Sequence, residues 1–198
     1  MINVKQMLLF CIMMLFFIKI SYSQVSQTWV KEYSSPNSQG YGNDIAIDGD
    51  GNIYVTGYDF NTIKYNSAGT QLWVRQYYGV AKSMIIDLQG NLYIIGNDDN
   101  STMITIKYSP SGEQLWLQMY TDPQNGYLEL SKAEIALDNS GGLFITANVY
   151  LDSTVSTIGV LTLKYSTGGV LQWAKYYNHP TGYQWAESNS IATDNNGN

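Results

Sequence analysis

The sequence has only one cysteine, one histidine and four prolines in 198 residues. Cys11 lies in an apolar N-terminal segment, and His179 lies in an Asn-His-Pro stretch that is typical of a turn. The sequence also has no Gly-x-Ser-x-Gly motif for a serine nucleophile. These absences argue against a disulfide framework and against nucleophilic catalysis in the chain that follows Cys11.

Basic residues are also scarce, with 10 Lys and Arg against 16 Asp and Glu, a formal net charge of −6. No basic stripe interrupts this acidic balance. Such a surface repels phosphate backbones, so we expect no nucleic-acid partner.

Long hydrophobic runs are absent outside the N-terminus, where Met7 to Ile18 is apolar. This run is short for a membrane span, follows a positive Lys5, and precedes small residues at Ser21 and Ser23. The pattern predicts a signal peptide over residues 1–23, cleaved near Ser23/Gln24, and no membrane span afterwards. We therefore expect a secreted or cell-surface protein whose domain covers residues 24–198.

What the sequence does have is an internal repeat. A stretch resembling DIAIDGDGNIYVTG, followed by one resembling TIKYNSAGTQLW, occurs three times, starting at Asp44, Ser83 and Glu134. The repeat units cover residues 44–77, 83–120 and 134–177, and a partial fourth covers 190–198. A period of about 40 residues built from short apolar runs indicates a row of small sheets that pack on one another.

Each unit divides into four predicted strands separated by turns. In unit one these are Asp44–Asp48, Ile53–Thr56, Thr62–Tyr65 and Gln71–Tyr77. Glycine and asparagine supply the first and third turns, as tight hairpins require. The second strands carry large residues on both faces, which predicts sheets covered on both sides.

Two recurring features of the third and fourth strands are interpreted as structural. Trp73, Trp116 and Trp173 each follow a glycine by four residues, and we expect them to wedge between neighbouring sheets. Lysine precedes tyrosine at the end of each third strand, and we expect these lysines to pack or to pair with turn acids.

These motifs, from residue 27 to 198, resemble the SBBP repeat of seven-bladed β-propellers from exported bacterial proteins. The resemblance implies an all-β, partial β-propeller of four-stranded antiparallel blades. About three blades would be complete, with a lone fourth strand over Gln27–Tyr33 and a lone first strand in the partial unit. Propellers have four or more blades, so we expect further blades outside this chain. The family has no common catalytic set, and unit three departs from it at Ala147, where Gly57 and Gly96 stand in the other units.

Loop lengths provide the best indication of a binding site. The middle loops vary from Gly57–Asn61 in unit one to Val149–Gly159 in unit three, and the connections between units vary as well. In a propeller these segments share one face, which we predict to bind a protein or glycan through exposed aromatic and polar side chains. The candidates are Tyr58, Asp59, Phe60, Asp98, Asp99, Asn100, Asp122, Asn125, Tyr127, Tyr150, Asp152, His179, Tyr183 and Trp185.

A metal site is a competing interpretation of the first turn of unit one. Asp48, Asp50 and Asn52 alternate as in the start of a calcium loop, but the distal glutamate of an EF-hand is absent. Because the middle acid is lost in units two and three while the turn glycine stays, a turn held by its own side-chain hydrogen bonds explains the pattern better. We expect no metal and no other cofactor.

Catalysis has little support in the sequence. Asp98 and Asp99 are adjacent acids, but neighbours on a loop more often face solvent. The alternative to a binding or scaffold module is a fragment of a propeller enzyme, such as a quinoprotein-like dehydrogenase, whose blades have a similar glycine-to-tryptophan spacing. The sequence favours the non-catalytic interpretation.

Overall fold

The computed structural model describes residues 26–33, 41–98, 102–123, 127–150, 158–177, 186–194 and 197. The chain divides into two units, Met1–Val30 and Lys31–Asn198. In the first unit, the described residues 26–30 form no regular secondary structure. None of the described residues belongs to a helix with the length and apolar character needed to cross a membrane.

The second unit contains three four-stranded antiparallel sheets, with strand orders β1-β2-β3-β4, β5-β6-β7-β8 and β9-β10-β11-β12. The sheets correspond to the three repeats and are called blades 1, 2 and 3. They do not close into a ring within the described residues. The strands are β1 (Gly42–Ile47), β2 (Ile53–Gly57), β3 (Thr62–Tyr65), β4 (Gln71–Arg75), β5 (Val80–Ile86), β6 (Leu92–Asn97), β7 (Met103–Tyr108), β8 (Gln114–Tyr120), β9 (Tyr127–Leu137), β10 (Leu143–Tyr150), β11 (Ile158–Tyr165) and β12 (Leu171–Tyr177).

This arrangement confirms the predicted all-β fold of four-stranded blades. The strand limits in blade 1 differ from the predicted ones by a residue or two, which is usual where ladders fray. The larger difference is in blade 3, where the predicted loop Val149–Gly159 is wrong at both ends. Val149 pairs with Gly159 and Tyr150 pairs with Ile158. Strands β10 and β11 therefore extend further than their counterparts, and only residues 151–157 separate them.

The two lone strands predicted at the ends of the array are not formed as strands. Residues 26–33 and 186–194 have no ladder pairing. Neither segment has a neighbouring strand of its own repeat among the described residues, so no ladder can build on it. In the partial fourth repeat, the Gly197 N–H nevertheless donates to the Asp194 carbonyl at 3.1 Å, as the Gly51 N–H does to the Asp48 carbonyl at 3.0 Å.

Two hydrophobic clusters fill the spaces between blades. Between blades 1 and 2, the cluster contains Tyr54, Trp73, Ile94 and Ile106. Between blades 2 and 3, Tyr93 and Ile95 pack with residues of β9, β10 and β11. Because Ile94 and Ile95 face opposite clusters, blade 2 is covered on both faces, as the large residues on both sides of its second strand predict.

The first strands β1, β5 and β9 lie next to one another. Side chains of β1 join it to β5: Asn43 Nδ2 donates to the Ala81 carbonyl, and the Met84 N–H donates to the Asp44 carboxylate, each at 2.7 Å. Blades 1 and 2 are thus connected along their first strands by hydrogen bonds as well as by apolar packing.

A β-bulge near the middle loop explains why unit three has alanine where the others have glycine. In blade 1, a Cβ on Gly57 would lie 1.9 Å from the Tyr41 carbonyl oxygen. In blade 2, a Cβ on Gly96 would lie 2.1 Å from the Val80 carbonyl oxygen. In blade 3 the bulge is larger, since the ladder passes from Glu134 to Glu129 on β9 while β10 advances only from Thr146 to Asn148. The larger bulge accommodates the methyl group of Ala147, which is fully buried.

Candidate functional site

The blades present two ends with different chemistry. The turn end carries the first and third turns, residues 48–52, 66–70, 87–91, 109–113, 138–142 and 166–170. The loop end carries the described parts of the middle loops and of the connections between blades. Contacts join the two kinds of segment at the loop end: Tyr58 forms an isolated bridge with Val80, and the Phe60 N–H donates to the Gly79 carbonyl at 3.1 Å.

The middle loop of blade 1 is a tight turn with an unusual backbone. Asp59 and Phe60 have φ angles of 56° and 44°, and the Asn61 N–H donates to the Tyr58 carbonyl at 3.1 Å. Two successive left-handed residues define a type I′ hairpin, which ordinarily uses asparagine and glycine. The left-handed region costs a bulky residue such as phenylalanine about 1–3 kcal/mol.

Burial offsets this strain at Phe60. Its side chain is 1 % exposed, and its ring lies 6.0 Å from that of Tyr77. The ring also occupies the space above Gly96 of blade 2, where a Cβ would come within 2.6 Å of Phe60 Cζ. Burying an aromatic side chain contributes about 1.5–3 kcal/mol, comparable to the strain. The expectation that Phe60 is exposed on a binding face is therefore wrong.

Tyr58, by contrast, is on the surface. Its side chain is 43 % exposed, and its ring meets that of Tyr41 edge to face at 5.6 Å. Asn61 supports this loop from beneath, because its Nδ2 donates to the Tyr58 carbonyl at 3.0 Å while its Oδ1 accepts from Gln76 Nε2 at 2.7 Å. Tyr41 and Asn61 were not among the residues predicted from the sequence, because neither of them recurs in the other repeats.

In blade 2, Asp98 holds the beginning of the middle loop. Its carboxylate accepts the Thr102 N–H at 2.9 Å, and its own N–H donates to the Thr102 carbonyl at 3.1 Å. Its side chain thus closes the loop locally. Asp99 and Asn100 lie outside the described residues.

Asp122, in the connection between blades 2 and 3, is buried and is not exposed at the loop end. Its carboxylate accepts a short hydrogen bond from the Tyr176 hydroxyl, which lies 2.7 Å from that of Tyr120. Burial raises the pKa of Tyr176, and the hydrogen bonds to Asp122 and Tyr120 raise it further. The expectation of an exposed acid is therefore wrong for Asp122, which joins the outer strands of the two blades. Asn125 lies outside the described residues.

Blade 3 repeats the tyrosine pair of blade 1. Tyr127 and Tyr150 are opposite each other in the ladder, at the start of β9 and the end of β10, with ring centroids 6.0 Å apart. Tyr127 is 55 % exposed. Tyr41 and Tyr58 flank the corresponding ends of β1 and β2, so two tyrosine pairs stand at the loop end beside the inner strands. The other candidates, Asp152, His179, Tyr183 and Trp185, lie outside the described residues.

At the turn end, Asp48 is the centre of a hydrogen-bonded turn. One carboxylate oxygen accepts the backbone N–H groups of Asp50 and Asn52 at 3.0 and 2.9 Å, and the other accepts Asn52 Nδ2 and the Tyr54 hydroxyl at 2.8 and 3.0 Å. Burial alone would raise the pKa of this carboxyl, but the hydrogen bonds from Asn52, Tyr54 and Asp50 together lower it. Its oxygens are thus used by the turn, as predicted from the side-chain pattern.

The same arrangement recurs in the other blades. Asp87 and Asp138 accept the equivalent backbone N–H groups, and burial of Asp138 is outweighed by hydrogen bonds from Ser140 and Gly142 that lower its pKa. Asp50, by contrast, has no acidic equivalent in those turns. Within the described ranges, no group of three or more His, Cys, Asp or Glu side chains is placed to hold a metal ion.

The recurring lysines and tryptophans have the structural roles predicted for them. Lys64, Lys107 and Lys164 pair with the turn aspartates of their own blades at 3.4, 3.7 and 3.6 Å. Each ammonium also lies 4.5 to 4.8 Å from the centre of an aromatic ring on the second strand. Trp73 and Trp116 reach into the following blade, where each indole Nε1 donates to a turn carbonyl.

Comparison with known proteins agrees with this architecture. The family model described as SBBP, beta-propeller repeat, matches residues 28–58. No curated protein matches the sequence. A protein of unknown function from Bacteroides caccae has a similar structure, with 14 % identity and a TM-score of 0.52 over 75 % of this chain and 52 % of its own.

Two further solved structures are similar. One is a eukaryotic initiation factor, with 9 % identity and a TM-score of 0.51 over 76 % of this chain and 35 % of that one. The other is the beta-propeller domain of Cps50 (Swd1) from Myceliophteria thermophila, with 12 % identity and a TM-score of 0.48 over 76 % and 46 %. The chain thus spans about half or less of these structures, and at such low identity the likeness concerns the fold alone. Residues 28–58 thus match the SBBP β-propeller repeat, and the three sheets have the fold of β-propeller blades.

Proposed function

We propose that this chain is a non-catalytic, exported β-propeller module that binds a protein or glycan partner through its loop end. The observation that carries the proposal is the presence of two surface tyrosine pairs, Tyr41–Tyr58 and Tyr127–Tyr150, at corresponding places in blades 1 and 3. Tyrosine rings stack on sugar rings and are enriched in protein interfaces, because they combine a large apolar face with a hydroxyl.

The chemistry between the two pairs suits a ligand with hydrogen-bond donors. The loop end of blade 2, which lies between them, presents Asn97 and Asp98, both partly exposed. The net charge of −6 favours neutral or cationic partners over phosphates or polyanions.

The export half of the proposal is supported by the leader pattern of residues 1–23. It predicts that material recovered from the periplasm or medium of a bacterial host begins at Gln24.

Binding can be tested with a glycan array and a pull-down from cell-surface extracts. Tyr58→Ala and Tyr127→Ala should each weaken binding by about fivefold or more, as truncation of an interface aromatic usually does. Leu88→Ala is the matched control, because Leu88 is 98 % exposed at the turn end. If all three variants bind a captured ligand as tightly as the unmodified chain does, the assignment of the loop end is refuted.

A further inference from the structure

The two ends of the blades expose different kinds of apolar side chain. Each end is taken to include the strand residues that adjoin its turns or loops. Within the described residues, the exposed large apolar side chains of the turn end are all aliphatic, namely Ile47, Leu88, Val170 and Leu171. Those of the loop end are all tyrosines, namely Tyr41, Tyr58, Tyr78, Tyr127 and Tyr177. The apolar surface offered at the loop end therefore consists of aromatic rings that also carry hydroxyl groups.

The tyrosine pair of blade 1 is continuous with the loop end of blade 2. Tyr58 forms a bridge with Val80, in the strand that follows the connection between these blades. A Cβ on Gly79 would lie 2.2 Å from the Asn97 carbonyl oxygen, so the connection approaches blade 2 as closely as a backbone can. Tyr78, next to this glycine, is 63 % exposed. The aromatic surface of blade 1 thus leads directly to the side chain of Asn97.

The surface of blade 2 between the two tyrosine pairs is polar and held in place. Asn97 Nδ2 donates to the Asp98 carbonyl at 2.9 Å, and the Asp98 carboxylate accepts the Thr102 N–H at 2.9 Å. Amide and carboxylate oxygens have several lone pairs, so these side chains have the capacity to accept hydrogen bonds from ligand hydroxyls as well.

This pattern differs from the usual pattern of a protein interface. The centre of a protein interface is its most apolar part, and a polar rim surrounds it. Here the aromatic rings stand on both sides and the polar groups lie between them. A chain of sugar rings has the matching chemistry, because each ring has an apolar face for stacking and hydroxyl groups around its edge.

We infer that the loop end binds a neutral, linear glycan that contacts the tyrosine pairs of blades 1 and 3 at the same time. This inference rests on the proposed function and narrows its partner to one class. Packed sheets lie about 10 Å apart, so pairs in blades 1 and 3 are separated by up to about 20 Å, which a disaccharide cannot span and a chain of about four or more sugar rings can. The net charge of −6 disfavours an acidic glycan.

The test is the dependence of affinity on chain length. Cello-, laminari- and manno-oligosaccharides of two and six rings are titrated into the chain and followed by calorimetry. Once one pair has bound, contact with the second is intramolecular, so the six-ring member of a bound series should bind about tenfold or more tighter than the two-ring member. Tyr58→Ala and Tyr127→Ala should each remove this advantage, whereas Leu88→Ala, at the turn end, should keep it.

Tyr58→Phe and Tyr127→Phe keep the rings and should keep the tight binding, which separates stacking from an effect on folding. The inference is overturned if the two chain lengths bind equally, or if the phenylalanine variants lose the advantage as fully as the alanine variants. It is also overturned if none of the oligosaccharides binds. In that case a protein captured from cell-surface extracts that requires Tyr58 would leave the proposed loop-end site standing, so the two failures are distinguishable.

Discussion

The most direct test of the structural reasoning concerns a pair of threonines inside the blades. Thr56 on β2 and Thr62 on β3 face each other in blade 1, with their hydroxyl oxygens 3.1 Å apart. In blade 2 the same ladder position pairs Ile95 with Thr105. The Thr105 hydroxyl is fully buried and has no hydrogen-bond partner among the described residues. Equivalent threonines in two blades thus have opposite hydrogen-bonding states.

This difference predicts opposite effects of the same substitution. A buried hydroxyl without a partner costs about 1–3 kcal/mol, so Thr105→Val should raise the free energy of unfolding by about 1 kcal/mol. Thr62→Val removes one partner of a satisfied pair and leaves the Thr56 hydroxyl buried alone, which should lower the free energy of unfolding by about 1–2 kcal/mol. Valine and threonine have nearly the same shape, so neither change should create a cavity.

Urea unfolding followed by tyrosine and tryptophan fluorescence measures both values, provided that the slope with denaturant stays constant between variants. Ile95→Thr provides a third point, because it supplies a partner for Thr105 but loses apolar burial. If Thr105→Val and Thr62→Val change stability in the same direction by similar amounts, the hydroxyl environments do not differ as described and the reasoning fails.

Three further predictions concern the turns and the core. Gly112→Ala should lower the free energy of unfolding by about 1–3 kcal/mol, because φ of Gly112 is +82° and the added methyl group would meet Trp73. The control is Gly49→Ala, whose methyl group would lie in open space. It should change the free energy of unfolding by less than about 0.5 kcal/mol in the same urea assay. The pKa of Asp48 is lowered in the folded chain, so this carboxylate contributes stability above pH 3.8, its ordinary pKa, and the contribution is lost as the pH falls through the lowered pKa. Asp48→Asn should therefore make the urea midpoint depend less on pH in the acid range. Burial raises the pKa of Tyr165 to about 12, so stability should be full below pH 10 and decline between pH 10 and 12, and an unchanged decline in Tyr165→Phe would contradict this.

Much of the fold could be predicted because the repeat compares the chain with itself. A position that keeps its residue type in three blades must serve something common to all blades, and such positions proved to be structural. Examples are the lysines that pair with turn aspartates and the tryptophans whose rings lie over turn glycines. The roles of Trp73 and Lys64 followed from recurrence and ordinary packing rules, without knowledge of the partners they contact in the next blade.

The candidate site was predicted less well, because its residues lie in the segments that do not recur. Without a repeated pattern, an aromatic or acidic residue in a loop was expected to be exposed. Phe60 and Asp122 are instead buried, each by a partner distant in sequence, Gly96 in one case and Tyr176 in the other. Such partners become visible only when neighbouring blades are packed together.

In the tripeptide Tyr58-Asp59-Phe60, one residue stabilises the loop and another is exposed for binding. Phe60 accepts a left-handed backbone because its ring fills the space between blades 1 and 2. The buried Phe60 ring fixes the turn, and the fixed turn holds Tyr58 against Tyr41 at the surface. A ligand that stacks on Tyr58 would therefore meet a ring whose backbone is already ordered, and little conformational entropy would be lost on binding. Phe60 contributes to such a site through rigidity, although it would not contact the ligand.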